Sequence, residues 1–451
     1  PRMPLCFAAS VATFLALVLA PNGAFAEPTP PADLPGAGGG APSKAPLTLA
    51  KAAELARTRG LDVLVADAQR RGAEADVRTA GALQNPAITV GFGKAVKYTR
   101  PDGCTGCSPW QYVVGASDQG LLFDVLAGKR ALRMDVARAA VDGASASRKD
   151  VERIVVAQTK AAYAQVALAM RAVQFAETQE ASLASAAALA KVRFPQVINE
   201  GELARVEAEH FDAATQVDVA KATLAANRAS LGFLLGIRGG AVPEIDPAEL
   251  DFRVPPELAN ATQEGLFKSA LDHRPDLVVA AAAGRRAQAS GALARRAVFP
   301  DVAVGVQYQQ QGTDGAQSIQ PPTVAVALTA VLPVFSQRQG EIERAAADGE
   351  AATWGLARAE AAVLADVNSG LGGFVAARSR VVRMRDQLLP ARKKALDVVR
   401  AQYDRGAAPL MDWLDAQRTY ATANRELNEA MVEFWAQVFA LEAATGTEFS
   451  K

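Results

Sequence analysis

The sequence predicts a mainly α-helical chain with a small β part, built as two copies of one unit, and three observations carry that expectation. A segment recurs at an offset of about 215 residues, as Arg59-Gly60-Leu61-Asp62 and Arg274-Pro275-Asp276-Leu277. Each copy leads into residues that alternate with period two, and then into a very long stretch almost free of proline. The return segments carry apolar residues at alternating spacings of three and four. Composition agrees: among 451 residues 50% are hydrophobic and only 6% aromatic, an alanine-rich balance that favours long helices over a compact enzyme core.

The N-terminus has Arg2, the apolar run Leu5 to Ala20, and Ala24-Phe25-Ala26 before Glu27, which reads as a secretory signal peptide over residues 1–26. The run is shorter than the roughly 20 residues that span a bilayer. Cys6 lies too early for lipidation after the run. No comparable apolar run follows, so a membrane contact would have to be made by β-strands. Residues 27–46 are rich in Pro, Gly and Ala and read as a flexible leader.

The first structural repeat is expected over 47–236, a linker with Pro243, Pro247, Pro255 and Pro256 over 237–263, and the second repeat over 264–448. In the first repeat Ile88, Val90 and Phe92 alternate, followed by Tyr112, Val114 and Ala116. In the second, Val302, Val304, Val306 and Tyr308 are followed by Val324, Val326, Leu328 and Ala330. The intervening positions are mostly small or polar, such as Thr89, Gly91, Gly305 and Gln307. One apolar and one small or polar face is the pattern of a transmembrane strand, and also of a half-buried hairpin.

Helices follow from Lys129 to Arg193 and from Gln339 to Gln402, each about 90 to 100 Å long at 1.5 Å per residue. The shorter return helices have seams of period 3.5. The first runs Leu203, Val206, His210, Ala213, Val217, and the second Leu410, Trp413, Gln417, Tyr420, Asn424. His210 is thereby a seam residue rather than a ligand. Four strands cannot close a barrel, because the smallest closed examples have eight, so if these strands span a membrane several chains must share one.

Cys104 and Cys107 remain after cleavage, and a pair in an oxidising compartment most often forms a disulfide. A redox centre should open a helix after a strand, and zinc would need two further ligands. The disulfide is the expected state, with zinc and redox roles as the alternatives. No metal site and no cofactor is expected. The charge of 48 basic against 48 acidic residues gives no footprint for nucleic acid. With only His210 and His273 and no nucleophile motif, the chain is not read as an enzyme.

On these residues the sequence resembles the TolC-like outer-membrane efflux channels over essentially its whole mature length. The matching segments are Asn85-Pro86 before the first strand, Arg274-Pro275-Asp276-Leu277, Ala294-Arg295 and Phe299-Pro300 before the third, and Tyr403-Asp404-Arg405-Gly406 through Asp412-Trp413-Leu414-Asp415-Ala416-Gln417. Gly128-Lys129-Arg130 is similar to the heavy-metal branch of the family. The resemblance implies a homotrimer with a shared twelve-stranded transmembrane β-barrel, four strands per chain, and a trimeric α-barrel crossing the periplasm. It implies an outer-membrane exit duct for metal ions, drugs or other small substrates. Its partners would be outer-membrane lipid, a periplasmic adaptor (membrane fusion) protein and an inner-membrane pump.

By the same resemblance the docking tips are Phe194 to Leu203 and Tyr403 to Met411, with Phe194, Gly201, Gly406 and Leu410 as contact positions, Gly201 falling later than the family's usual glycine. Asp412 and Asp415 match the acids of the periplasmic aperture, where threefold symmetry would turn a carboxylate into a charged ring. A solvated helix face, or an ion pair with Arg405 or Arg418, is the other reading of the two acids. Tyr403 matches a gate-lock aromatic, but Ala408 occupies the position of its usual arginine partner. A secreted coiled-coil scaffold without channel activity would explain the helices but not the strand pattern.

Overall fold

In the computed structural model the described residues are 46–449, without 100–101, 104–106, 195, 197, 238–242 and 313–320, and Arg193 is described by its backbone only. The signal peptide and all of the leader except Pro46 lie outside the described residues. Two helices open the chain, α1 (Leu49–Arg59) and α2 (Leu61–Gly81), followed by β1 (Ala87–Lys94), β2 (Trp110–Ser117) and the short α3 (Leu121–Leu126). The long hairpin α4 (Lys129–Arg193) and α5 (Glu200–Leu234) completes the first half. After a 3-10 turn (Pro247–Leu250) come α6 (Pro256–Ala259), α7 (Gln263–His273), α8 (Pro275–Arg296), β3 (Val302–Gln310) and β4 (Thr323–Ala330). The second hairpin is α9 (Gln339–Arg383), a π turn (Met384–Leu388), α10 (Leu389–Asp404) and α11 (Leu410–Thr445).

The recurring Arg motif marks where one helix stops and the next begins in each half, α1 to α2 at Gly60 and α7 to α8 at Arg274. Arg274 is buried. Its guanidinium donates to Asp276, to Asp366 at 2.8 Å and to the Ala444 carbonyl at 3.3 Å, tying the start of α8 to α9 and α11. Burial alone would push the Asp276 carboxyl up, but the Arg274 guanidinium beside it holds it below the usual carboxylate range.

The π turn sits directly before Pro390. A proline lacks the N–H for the helical ladder and crowds the preceding turn, and one extra residue in the turn accommodates it without a break. The helix expected over Gln339 to Gln402 therefore runs through with a local widening at Met384–Leu388.

The main core lies at mid-length, where α4, α9 and α11 converge with Tyr163, Leu168, Phe374, Phe434, Trp435 and Phe439 fully or almost fully buried. The expected linker is part of it. Leu47 and Ile245 form a parallel bridge, Leu250 and Leu258 are buried, and the Trp435 indole donates to the Leu250 carbonyl at 3.1 Å. The Glu249 carboxylate accepts from the Leu49 amide at 3.0 Å and meets the Tyr163 hydroxyl, which also donates to the Leu47 carbonyl at 2.8 Å. A segment whose prolines suggest a connector is thus a strap across the hairpins, because its isolated apolar residues find pockets that no local pattern announces.

One ion pair is enclosed in this region: Lys160 Nζ lies 2.8 Å from the Glu442 carboxylate, with side-chain exposures of 2% and 5%. Lys160→Met should cost about 3 kcal/mol because the buried Glu442 carboxylate loses its cation and keeps the Phe449 amide, and Lys160→Met with Glu442→Leu should recover most of it; denaturant midpoints of the three proteins check this. For the Arg274 clamp the folded carboxyl lies below its unfolded value of about 3.9, so its stabilisation is complete above that pH and is lost as the pH falls through the folded value. Thermal midpoints of wild type and Asp276→Asn should differ by a constant amount above about pH 5 and converge below about pH 4.

Candidate functional site

The four strands form one antiparallel sheet in the order β1-β2-β3-β4, so β1 and β4 are open edges. Register places Val90, Val114, Tyr308 and Val324 in one row across all four strands, and Ile88, Ala116, Val306 and Val326 in another. The alternate rows are Thr89, Gly115, Gln307, Ala325 and Gly91, Val113, Gln309, Thr323. The two faces seen strand by strand in the sequence therefore align across the whole sheet. The apolar face is bare in the single chain: Phe92 is 78% and Leu328 71% exposed. Eight residues extend about 26 Å along a strand, which at a tilt of about 40° covers about 20 Å of the roughly 25 Å apolar band of outer-membrane barrels. Among the described residues no helix is long and apolar enough to cross a membrane.

The passage from sheet to helices is held by polar contacts between the two halves. Asp118, just past β2, accepts from the amides of Gly120 at 3.0 Å, Leu122 at 3.1 Å and Val304 at 2.7 Å. Gly128 has a φ of +72°, a left-handed conformation that lets the chain turn into α4. Lys129 is buried there and donates to the Phe299 carbonyl at 2.6 Å and to Asp301 at 2.8 Å. Arg130 donates to the Gly81 carbonyl at 2.7 Å, and Arg133 forms a two-pronged pair with Asp124 at 2.7 and 2.6 Å. The motifs Gly128-Lys129-Arg130 and Phe299-Pro300-Asp301 thus meet as one joint.

At the opposite end both hairpin turns share a second core of Leu183, Ala187, Ile198, Val206, Leu396, Leu410, Trp413 and Leu414. The turn of the second hairpin is set by Gly406, at φ +75°, whose amide bonds the Tyr403 carbonyl at 2.9 Å while the Ala407 amide bonds that of Gln402 at 2.8 Å. The first turn uses no glycine in that way. Asn199 caps α5 in a reciprocal capping box with Glu202, and Gly201 sits inside the first helical turn. Phe194 is exposed and Leu410 is buried, so Leu410 supports the tip from within rather than presenting a surface.

Tyr403 and Trp413 stack across the second turn, with ring centroids 5.6 Å apart and planes 10° from parallel. Reading Tyr403 against a missing arginine overlooked this partner, and an aromatic ten residues away across a glycine turn was the available signal. Asp412 and Asp415 are both exposed, and neither forms an ion pair among the described residues. Arg418, weighed as their partner, is paired to Glu209 on α5 instead, and that contact raises its pKa first, with Asp415 a lesser contribution. His210 lies in the α4–α5 seam with Nε2 2.9 Å from Glu180. A groove of about 820 Å³ follows α4 between α5 and α11, with Phe175, Leu427 and Met431 at its floor and Arg171 and Arg425 among its charged lining. Cys107 is held in a disulfide, while Cys104 lies outside the described residues.

One four-stranded sheet with an exposed apolar face and two open edges, continued by two long helical hairpins, defines the class as a two-repeat, mainly helical protomer with a small antiparallel sheet. The chain belongs to the outer membrane efflux protein family, whose model matches residues 52–236 and 266–447. That family comprises transport ducts of the outer membrane, not enzymes. The pyoverdine export outer membrane protein OpmQ of Pseudomonas putida is 27% identical over 222 residues, and that of Pseudomonas aeruginosa 26% over 188. These matches cover 48% and 41% of this chain, which spans 46% and 40% of the two relatives. The fold matches crystal structures of CusC, with a TM-score of 0.71, 17% identity and coverage of 89% of this chain and 92% of that one. It also matches the Campylobacter jejuni CmeC channel at 0.70 and 16%, covering 88% and 85%.

Trp413→Ala should open a void of several methylenes in the tip core and cost about 3 kcal/mol locally. Hydrogen exchange should quicken over residues 396–417 and stay unchanged around Tyr163 and Trp435; equal quickening in both regions would show that the tip is not a separate unit.

Proposed function

We propose that the protein is the exit duct of a tripartite efflux system, passing small substrates such as metal ions or drugs from a periplasmic adaptor and inner-membrane pump to the outside. The supporting observation is the apolar face carried in register across four strands that end in two open edges and continue into the helical hairpins. Three copies would supply twelve strands and close both edges, giving a homotrimer with a shared barrel and an α-helical tunnel. In this reading the apolar rows face outer-membrane lipid and the Thr, Gly and Gln rows face the lumen. The tips around Phe194, Gly201 and Gly406 reach toward the adaptor, with Leu410 and Trp413 as their internal support. Cys104 and Cys107 would close a small loop between β1 and β2 on the outer side.

The same symmetry brings two exposed carboxylates per chain, Asp412 and Asp415, to one aperture. Confined like charges focus a negative potential that draws cations and selects among them. Asp412→Ala with Asp415→Ala should lower cation preference in planar bilayers and remove block by trivalent cations while the trimer persists. An unchanged current would exclude the two aspartates from the gate.

The assembly itself is tested by Val326→Arg, which places a charge at the middle of the lipid-side row. It should destabilise the proposed oligomer by about 2 to 4 kcal/mol, read from its melting in mild detergent, whereas Ala325→Arg on the opposite face should cost less. Recovery of wild-type protein as a detergent-free soluble monomer would overturn the channel reading.

A further inference from the structure

The apolar face of the sheet does not carry the same residues from end to end. At the end that joins the helices, Val302 pairs with Ala330 beside the joint of Asp118, Lys129 and Asp301. The next rows hold Val304 with Leu328, then Ile88, Val306 and Val326, without an aromatic residue. All four aromatic residues of the strands lie on this face at the far end: Tyr308 opposite Val114, Phe92 opposite Tyr112, and Trp110 opposite Lys94.

The stagger of the strands sets how far apart the two ends are. Gln310 pairs with Tyr112 and is eight positions beyond Val302, and Trp110 stands two positions further out than Tyr112. That separation extends about 33 Å along the strands, or about 25 Å at a tilt of about 40°, which matches the apolar band of an outer-membrane barrel. Lys94 and Trp110 therefore stand one band-height from the joint, on the side away from the helical hairpins.

Lys94 is held there rather than left loose. Its ammonium lies over the Trp110 ring, 5.5 Å from the centroid, and it is exposed with no ion pair among the described residues. An indole settles at the boundary between acyl chains and headgroups, and its face attracts an ammonium to the same level. The donors of that ammonium then point into the headgroup layer, where the anion on offer is a lipid phosphate. Pairing the β1 edge with another strand would engage backbone groups and leave this face turned toward lipid.

We propose that Lys94, seated on the Trp110 ring, binds the phosphate of an outer-leaflet lipid, with Tyr112 and Tyr308 just inside the same boundary. The inference rests on the reading of the apolar rows as the lipid face, and it adds where the outer boundary lies and which lipid chemistry is held there.

The test uses the full chain in phosphatidylcholine vesicles whose acyl chains are brominated either near the headgroup or near the terminal methyl. Trp110 emission, taken as the difference between wild type and Trp110→Phe, should be quenched more by the shallow bromines. A tryptophan introduced by Val326→Trp into the Trp110→Phe protein should be quenched more by the deep ones. The phosphate contact is read by titrating lipid A onto the protein in mild detergent. Lys94→Gln should bind it about fivefold more weakly than wild type, Lys94→Arg should bind it as wild type does, and sodium phosphate should not displace it. Equal binding by Lys94→Gln, displacement by sodium phosphate, or stronger quenching of Trp110 by the deep bromines would overturn the proposal, while quenching of Val326→Trp still reports the lipid face. If bromine at neither depth quenches Val326→Trp, the lipid-face reading fails and takes the proposal with it.

Discussion

Everything in this chain depends on a backbone constraint at the sheet edges. Inside hydrocarbon an unpaired N–H or C=O has no water to bond, and each costs several kcal/mol. The sheet offers two such edges, β1 and β4, on strands whose apolar rows are bare. In the proposed duct each copy would pair its β1 edge with the β4 edge of another. The duplication supplies two hairpins, and the proposed assembly would supply the rest. The long helices inherit the same arrangement, since each half turns directly from its hairpin into its own helical pair.

That inheritance requires the two halves to hold a fixed geometry where sheet becomes helix. A lysine buried beside two carbonyl or carboxylate oxygens is favourable only when those oxygens are held in place. Lys129 reaches from the first half to Phe299 and Asp301 of the second, so the junction fixes one repeat against the other. Arg274 performs a similar task lower down, joining α8 to α9 and α11. Lys129 lies in the segment similar to the family's heavy-metal branch and Arg274 in the repeated motif, and both are positions where a charge crosses between elements.

What was legible in the sequence was what repeats with a period. The strand alternation gave all four strands and both faces, and the α4 helix runs over Lys129–Arg193 as the lack of proline implied. The return seams face inward, with Val206, Val217 and Leu231 buried in one and Trp413, Met431 and Phe434 in the other. Contacts without a period were not legible. Tyr163, Glu249 and Leu47 meet from three distant segments, and Lys160 and Glu442 are 282 positions apart. In the linker, Pro243, Pro247, Pro255 and Pro256 mark irregular backbone correctly but say nothing of Ile245, Leu250 and Leu258 between and beyond them. At the tips Gly406 turns the chain in a left-handed conformation, whereas Gly201, later than the family's usual glycine, sits inside the first turn of α5, because a capping box can start a helix without a left-handed residue.

The acidic face of the second tip follows from the same packing. Helical residues three and four apart share a face, so Leu410, Trp413, Leu414 and Gln417 use up the side of α11 that the core requires, and all four are buried. Asp412 and Asp415 lie between them in sequence and so emerge on the opposite, exposed side of α11. Arg418, on the exposed side as well, is drawn to Glu209 and neutralises neither fully. The stacked Tyr403 and Trp413 fix the start of α11 against the end of α10, so the carboxylates cannot rotate inward without emptying the tip core. Their charge is therefore left for water, ions or other copies to balance, and a threefold arrangement would concentrate an unrelieved pair into a ring.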